Sequence, residues 1–410
     1  MEVLYPRCAG IDVHKDVVMA CTRVVHQRKV EQEVRSFSTK TCGLLDLSTW
    51  LEQAGCTHVV MEATGVYWKP VWHVLEESFE LVLANAQHVK NVPGRKSDVN
   101  DAMWLADLLA HGLIRGSFVP PAPIQEVRDL TRTRKQLVRE TTQHVLRIQK
   151  TLEDANIKLA SVISDVLGAT GRALLTALIA GETDPQKLVA LTVGRRLKAS
   201  PEDLVEALRG RVTPHHRFLL QLHIDQVDAL HKAVAEVDKR MQEVLGPFQE
   251  QVELLKTIPG VSDVAAQVIA GEVGMDMSRF PSAAHLISWA GLCPRMDESA
   301  GKRRSTRVRM GAPWLKTTLV TAAWGAVRTK KPSYLGAQFL RIKGRRGAKK
   351  AVMAVAASIL TGVYYMLRDN KPWKDLGADH FDKRDKGRVV QRLVKRLETL
   401  GVKVRLQEAA

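Results

Sequence analysis

The hydrophobic pattern changes period several times along the chain, and each change predicts an element. Alternation of apolar and polar residues at 30–38 (VEQEVRSFS) reads as a strand, as does 17–25 (VVMACTRVV). An earlier strand candidate ends at CAGID, 8–12. THVVMEA at 57–63 reads as a strand of the buried type, and LVLANA at 81–86 as another. Before THVVMEA, GLLDLSTWLEQAG (43–55) has helical spacing and stops at Gly55, and after it VYWKPVWHVLEESF (66–79) reads as a second helix. DVNDAMWLADLLAHGLI at 98–114 is a strong amphipathic helix. Three strands, then helix and strand in alternation, predict a mixed α/β sheet.

The texture changes at FVPPAPIQ, where Pro120, Pro121 and Pro123 mark a boundary. Long helices follow. Val138, Val145 and Leu152 recur every seven residues, and Val227, Leu230, Val234, Val237, Met241 and Val244 alternate spacings of three and four. That is an a/d seam, for pairing within the chain or between chains. Residues 183–215 carry Pro185, Pro201 and Pro214 and are less regular. LLKTIPGVSDVAAQVIAGEVG at 254–274 reads as helix, tight Pro-Gly turn, helix. Such a hairpin either offers backbone N–H groups to a phosphate or is a plain structural turn. AVMAVAASILTGVYYML at 351–367 is the most apolar run, short for a membrane span and rich in Ala, and reads as a buried helix. The charged tail adds a helix at VVQRLVKRLETLG. The pattern predicts four regions: an α/β domain at 1–125, a helical, coiled-coil-like region at 126–252, a basic helical domain at 253–367 and a charged tail at 368–410.

Charge sharpens this picture through its placement. Between Arg295 and Lys350 stand 16 lysines or arginines and only two acids, Asp297 and Glu298, so this stretch carries +14 of the chain's +17. Charge focused in this way implies a polyanionic partner, nucleic acid above all. A membrane surface fits poorly, because Gly and Pro break the stretch and no basic amphipathic helix appears in it. The five cysteines form no CxxC pair, so neither a disulfide framework nor a zinc site is indicated. MEVLYPRCAGID lacks the apolar core of a signal peptide, and a cytoplasmic protein is expected.

Four acids stand where chemistry could gather. Asp12 and Glu62 close strands, in GIDVHK and VVMEATG, and Asp98 and Asp101 open the amphipathic helix. Residues three apart on a helix share a face. Four carboxylates at one sheet edge would repel unless a divalent metal joined them, and all-oxygen ligation suits Mg²⁺ or Mn²⁺. Such ions activate the attacking oxygen and stabilise the leaving one in phosphoryl transfer. Taken singly, Asp98 is an ordinary N-cap, Asp101 a first-turn acid and Asp12 a turn residue. Glu62, inside an apolar strand, needs a partner. An actin-like ATPase is disfavoured, because DVHKD has no Gly-rich phosphate turn. Lys15 can touch a phosphate or be solvated. Tyr67, Trp68 and Trp314 can stack on bases or pack in a core.

A second candidate lies in DESAGKRRSTRVRMG, 297–311, where Ser299 and a small-Gly pair precede Lys302, Arg303, Arg304, Arg307 and Arg309. A serine hydroxyl needs help with its proton and neutralisation of the phosphate it attacks. The cations supply the second, and no histidine stands nearby for the first. On these residues alone, Ser299 reads as a solvated loop serine. Ser305 is the rival hydroxyl, but no small-Gly pair follows it.

GIDVHK, MEATGVYW, NAQHVKNVPGRKSDVNDA and GLCPRMDESAGKRRS together resemble the transposases of the insertion-sequence 110 family, in order and from about residue 8 to the tail. The resemblance implies a ribonuclease H-like (RuvC-like) first domain, similar to a Holliday-junction resolvase, whose Asp-Glu-Asp-Asp set binds metal. The matching positions are Asp12, Glu62, Asp98 and Asp101. It implies a helical transposase domain whose catalytic serine stands before a small residue and Gly, a position that Ser299 fills. The residues after it, Lys302 to Arg309, look like its phosphate clamp. It further implies a structured bridge RNA that selects double-stranded donor and target DNA, a tetramer built as a dimer of dimers, and a prokaryotic, nucleoid-associated setting. The expectation is an RNA-guided DNA recombinase. Two rivals are a resolvase-type nuclease in which metal-activated water cuts, and a basic scaffold that packages RNA.

Overall fold

The computed structural model describes residues 2–26, 29–63, 65–85, 89, 98–114, 116–194, 197, 199–295, 297–299, 301–305 and 307–406, without the side chains of 98–100, 297, 299, 303 and 304. Most of NAQHVKNVPGRKS, the side chain of Asp98 and Ala300 therefore lie outside the described residues. The chain divides into two compact units, Met1–Val119 and Pro120–Ala410.

In the first unit the expected elements form in order: β1 (Arg7–Val13), β2 (Val17–His26), β3 (Lys29–Ser38), α1 (Thr41–Gln53), β4 (His58–Glu62), α2 (Trp68–Leu75), β5 (Glu80–Ala84) and α3 (Asp98–Ala110). The sheet order is β3-β2-β1-β4-β5, antiparallel among the first three strands of the chain and parallel from β1 through β4 to β5. Short links permit the antiparallel pairs, whereas the parallel ones use α1 and α2 in their crossovers. This mixed sheet is consistent with the ribonuclease H-like expectation.

Period two sorts the strand residues between two cores. Ala9, Ile11, Val13, Val59 and Met61 pack with Leu47 and Leu51 of α1 and Val71 and Leu75 of α2. The alternate residues Cys8, Val60 and Ala84 pack with Leu105, Leu108 and Leu109 of α3. Gly10 belongs to this second face. A Cβ there would lie 2.2 Å from the Ala102 carbonyl oxygen and 2.5 Å from the Ala106 nitrogen, so only glycine admits α3 this close to β1. Arg23 of β2, 4% exposed, donates from Nε to Asp107 Oδ1 at 2.7 Å, tying α3 to the sheet by a second means.

The second unit is mostly helical, with α4 (Ala122–Asp154), α5 (Ala169–Ala180), α6 (Pro214–Leu245), α7 (Gln249–Lys256), α8 (Asp263–Val273), α9 (Ala283–Trp289), α10 (Pro313–Arg328), α11 (Tyr334–Arg346), α12 (Ala348–Asp369) and α13 (Lys386–Thr399) among its helices. The α4–α6 pair uses the expected seam on α6, where Val227 and Met241 are buried and Leu230, Val234, Val237 and Val244 half-buried. On α4 the seam differs from the expectation. Val138 is 43% exposed, because this part of α4 is turned toward α8 and, through Lys135 and Thr317, toward α10, whereas Ile148 and Leu152 are buried further along. The less regular 183–215 stretch forms short helices opened by its prolines at 185 and 201, with Asp184 and Ser200 as caps. Helix α12 is long and apolar enough to cross a membrane, yet Val352, Val355, Ile359, Leu360 and Val363 are buried within the unit, as the buried-helix reading expects.

The Pro-Gly turn joins α7 to α8. Gly260 has φ of +83°, and a Cβ on it would sit 2.2 Å from the Ala322 carbonyl oxygen of α10. That glycine serves helix packing.

Candidate functional site

Strand parity places the acids. Asp12 and Glu62 follow Gly10 and Val60 by two residues, so both belong to the face that α3 covers. The β1–β4 register pairs Ile11 with Met61, which sets Asp12 and Glu62 at neighbouring strand ends. Asp101 stands one residue before Ala102, the residue seated on Gly10, and is half-buried. Asp12 is 8% exposed and Glu62 half-buried. Asp98 begins α3, but its side chain lies outside the described residues. Among the described residues, no three His, Cys, Asp or Glu side chains form a group that could hold a metal ion. Asp12 Oδ2 instead faces His14 Nε2 at 3.1 Å, a neighbour to which the sequence assigned no role. The set is all carboxylate, which in chemistry suits a hard divalent cation, though its described members, Asp12, Glu62 and Asp101, form no such group. Asp12, Glu62, Asp98 and Asp101 would hold it, and the cation would supply charge neutralisation at a reacting phosphate.

Trp68 and Trp72 pack against the first core and meet edge to face at 5.7 Å, so Trp68 serves packing, whereas Tyr67 is exposed.

In the second unit the described residues of DESAGKRRSTRVRMG include a two-stranded hairpin, where the residues alone read as a loop. β6 (Asp297–Ser299) pairs antiparallel with β7 (Lys302–Ser305), with Ser299 opposite Lys302. Ser299 is the last residue of β6. Gly301, which precedes β7, has φ of +74°, a conformation that favours glycine. The pairing continues at the base, where Arg295 N donates to the Arg307 carbonyl at 2.8 Å and Pro294 bridges Val308. Below that, Gly291 and Gly311, both at positive φ, press backbone on backbone. A Cβ on Gly311 would lie 2.4 Å from the Gly291 nitrogen. Lys316 of α10 then ties the outgoing strand down, donating from Nζ to the carbonyls of Arg309 at 2.7 Å and Met310 at 2.6 Å. Burial lowers the Lys316 pKa.

Lys302, Arg307 and Arg309 are exposed, as expected for residues that meet a polyanion, and the side chains of Arg303 and Arg304 lie outside the described residues. The Ser305 hydroxyl accepts the Arg307 backbone N–H at 3.2 Å, which commits the rival hydroxyl to local structure.

A mixed sheet with carboxylates at its strand ends and a helical unit bearing a basic hairpin suit a protein that acts on a polyanion. The profile of DEDD transposases of the IS110 group matches residues 9–157, and that of the transposase IS116/IS110/IS902 family matches residues 252–336, together more than half of the chain. The chain belongs to the IS110 family of transposases. It is 24% identical to the transposase for insertion sequence element IS1111A of Coxiella burnetii over 85% of each chain. It is 22% identical to the pilin gene-inverting proteins of Moraxella bovis and Moraxella lacunata over 92% of this chain and 97% of theirs. The protein is thus a DNA-recombining enzyme, and the DEDD match carries a dependence on divalent metal.

Proposed function

We propose that this transposase exchanges DNA strands through a covalent intermediate on Ser299, in a reaction that requires the acidic face with Mg²⁺ and is directed to its DNA by a structured bridge RNA. The observation that carries this reading is the hairpin, which puts Ser299 at the end of β6, beside a small-Gly turn and directly before a cationic strand. The Ser299 Oγ–phosphorus bond forms as the bond from phosphorus to a deoxyribose oxygen breaks. The hydroxyl proton ends on the deoxyribose hydroxyl released. The phosphoserine diester conserves the bond energy, so rejoining to a new strand needs no high-energy cofactor. Lys302, Arg303, Arg304, Arg307 and Arg309 neutralise the phosphate that approaches the serine. Asp12, Glu62, Asp98 and Asp101 hold the metal. Donor and target duplexes are brought together by a tetramer, a dimer of dimers, and the α4–α6 seam and the regions at 126–252, 253–367 and 368–410 are read as its working parts.

The test is reconstitution. RNA that co-purifies with the protein is sequenced, compared with DNA flanking the gene, and supplied with donor and target duplexes and Mg²⁺. Recombinant junctions that depend on that RNA are expected. Junctions formed equally well without RNA would remove the guide from the account. Cleavage without junctions would favour the resolvase-type reading.

A further inference from the structure

Helix α4 carries a second stripe, which packs on α8 and reaches Thr317 and Trp314 of α10. Its first cations are neutralised. Glu272 of α8, 2% exposed, accepts Arg132 through both carboxylate oxygens at 2.8 and 2.9 Å, and Arg128 donates to the Gly271 and Glu272 carbonyls at 3.0 and 2.8 Å. The next cations along the stripe make no ion pair among the described residues. Lys135 Nζ donates to the Thr317 hydroxyl at 2.7 Å, and Lys135 and Arg139 both lie 5.3 Å from the centre of the Trp314 ring. Arg132 also reaches that ring, at 5.7 Å. Trp314 is half-buried under this charge, so its task is to hold cations, a resolution of the choice between stacking and packing. Burial, and then Arg139 beside it, lower the Lys135 pKa against the weaker pull of Glu272, as expected where positive charge is crowded.

Beside the ring a groove of about 380 Å³ runs between α4, the Pro-Gly turn with α8, and α10. Its lining includes Arg134, Lys135 and Arg139, the hydroxyls of Thr317 and Thr321, and, among the described residues, no acid. Arg134 is already engaged with Asp238 at 2.6 Å, so Lys135 and Arg139 are the charges left for a ligand. The groove also exposes Val138, the residue missing from the α4–α6 seam.

The geometry points to a second DNA-docking site, in which Lys135 and Arg139, held by Trp314, grip the phosphate backbone of duplex DNA along the groove between α4, α8 and α10. This rests on the reading that the enzyme works on duplex DNA, and it adds a site separate in sequence from the hairpin. The charge is that of a polyanion site. The flat face that a splayed base would need is covered by cations, so the groove reads backbone and not sequence. A single-stranded ligand would forgo its stacking there, and a duplex forgoes nothing.

The test uses the full-length protein without divalent metal, so that binding is read with no chemistry. Labelled duplex DNA and the co-purified RNA are titrated separately by fluorescence anisotropy at several salt concentrations, for the unmutated protein, for Lys135→Gln with Arg139→Gln, and for Thr321→Glu. Thr321→Glu adds negative charge to the exposed groove wall and removes no cation, so it tests the groove even if the double variant folds poorly, which thermal melting reports. Both variants are expected to weaken duplex binding about tenfold near physiological salt, and the double variant to flatten the log–log salt slope by about 0.9 for each phosphate it no longer neutralises. Unchanged duplex affinity in both variants would assign Lys135 and Arg139 to packing on Trp314. Weakening confined to the RNA would overturn duplex DNA as the occupant. Failure of the serine reading shows instead as absence of a protein–DNA adduct, which a binding titration does not measure.

Discussion

The acidic face of the first unit and the basic hairpin of the second are built on opposite plans. The acids sit on regular elements, at the ends of β1 and β4 and at the start of α3, and the backbone approach at Gly10 seats α3 on β1. The hairpin is two short strands outside any large core, held at its feet by Gly291, Gly311 and Lys316. The difference teaches where each site's chemistry is coupled to stability. Moving an acid means moving the fold, whereas the serine can change without the rest of the unit noticing.

That contrast is most sharply tested at Asp12. Asp12→Asn keeps the shape and removes one carboxylate charge from the proposed metal set. Strand exchange should fall at least about a thousandfold, the scale of the several kcal/mol that a catalytic cation supplies. The melting temperature without metal should hold or rise, since carboxylate repulsion is relieved. Recombination at the unmutated rate would remove the acidic face from catalysis.

The glycines sharpen the same comparison from the side of stability. Gly10→Ala drives a methyl group into the α3 backbone and should lower the stability of the first unit by about 1–3 kcal/mol, read by denaturant unfolding. Gly311→Ala strains a left-handed residue and presses a methyl group on the Gly291 backbone; it should cost about 1–3 kcal/mol in the second unit, leave the first unit unchanged and lower strand exchange. Loss of stability in the first unit from Gly311→Ala would break the contrast.

A smaller effect is expected from replacing Arg303, Arg304 and Arg307 together by Ala. Nucleic-acid affinity should weaken with no change in melting, and the salt slope should flatten by about 0.9 for each duplex phosphate left without its cation. An unchanged slope would make these residues solvated side chains.

The smallest effect concerns the buried thiols of the first unit. Burial pushes Cys8 up to about 11 and Cys21 and Cys56 up to about 12. Folded pKa values above the unfolded ones mean that the folded state holds its protons longer. This contribution to stability is complete below the ordinary thiol pKa and is lost as pH rises from about 9 toward 12. Exposed Cys42 should alkylate readily at pH 8, while the other three resist until the unit unfolds. Rapid labelling of Cys8 at that pH would contradict the close seat of α3 on β1.

Much of the first unit was legible because period two and period 3.6 are both strong there, and because parity alone puts Asp12 and Glu62 on the face of Gly10 and Val60. The hairpin was not legible. Strands of three and four residues, rich in charge, carry no apolar alternation, and Gly301 looks like composition until it is seen at positive φ. Val138 was misplaced because a heptad spacing marks a stripe without saying which neighbour it meets. The Lys135–Trp314 contact joins residues far apart in sequence, and no local pattern could have shown it. His14 beside Asp12 carried no signal, because a histidine two residues after a strand-end acid reads as a turn.

The central claim is that Ser299 becomes bonded to DNA, and trapping that bond tests it most directly. Labelled duplex substrate, guide RNA and Mg²⁺ are incubated with the unmutated protein, Ser299→Ala and Ser305→Ala, then denatured and separated on a gel. The account predicts protein-linked label from the unmutated protein and from Ser305→Ala, none from Ser299→Ala, and melting curves that superimpose. Label on Ser299→Ala, or its absence from Ser305→Ala alone, would show that a different hydroxyl attacks, and cleavage with no adduct from any form would show that water does.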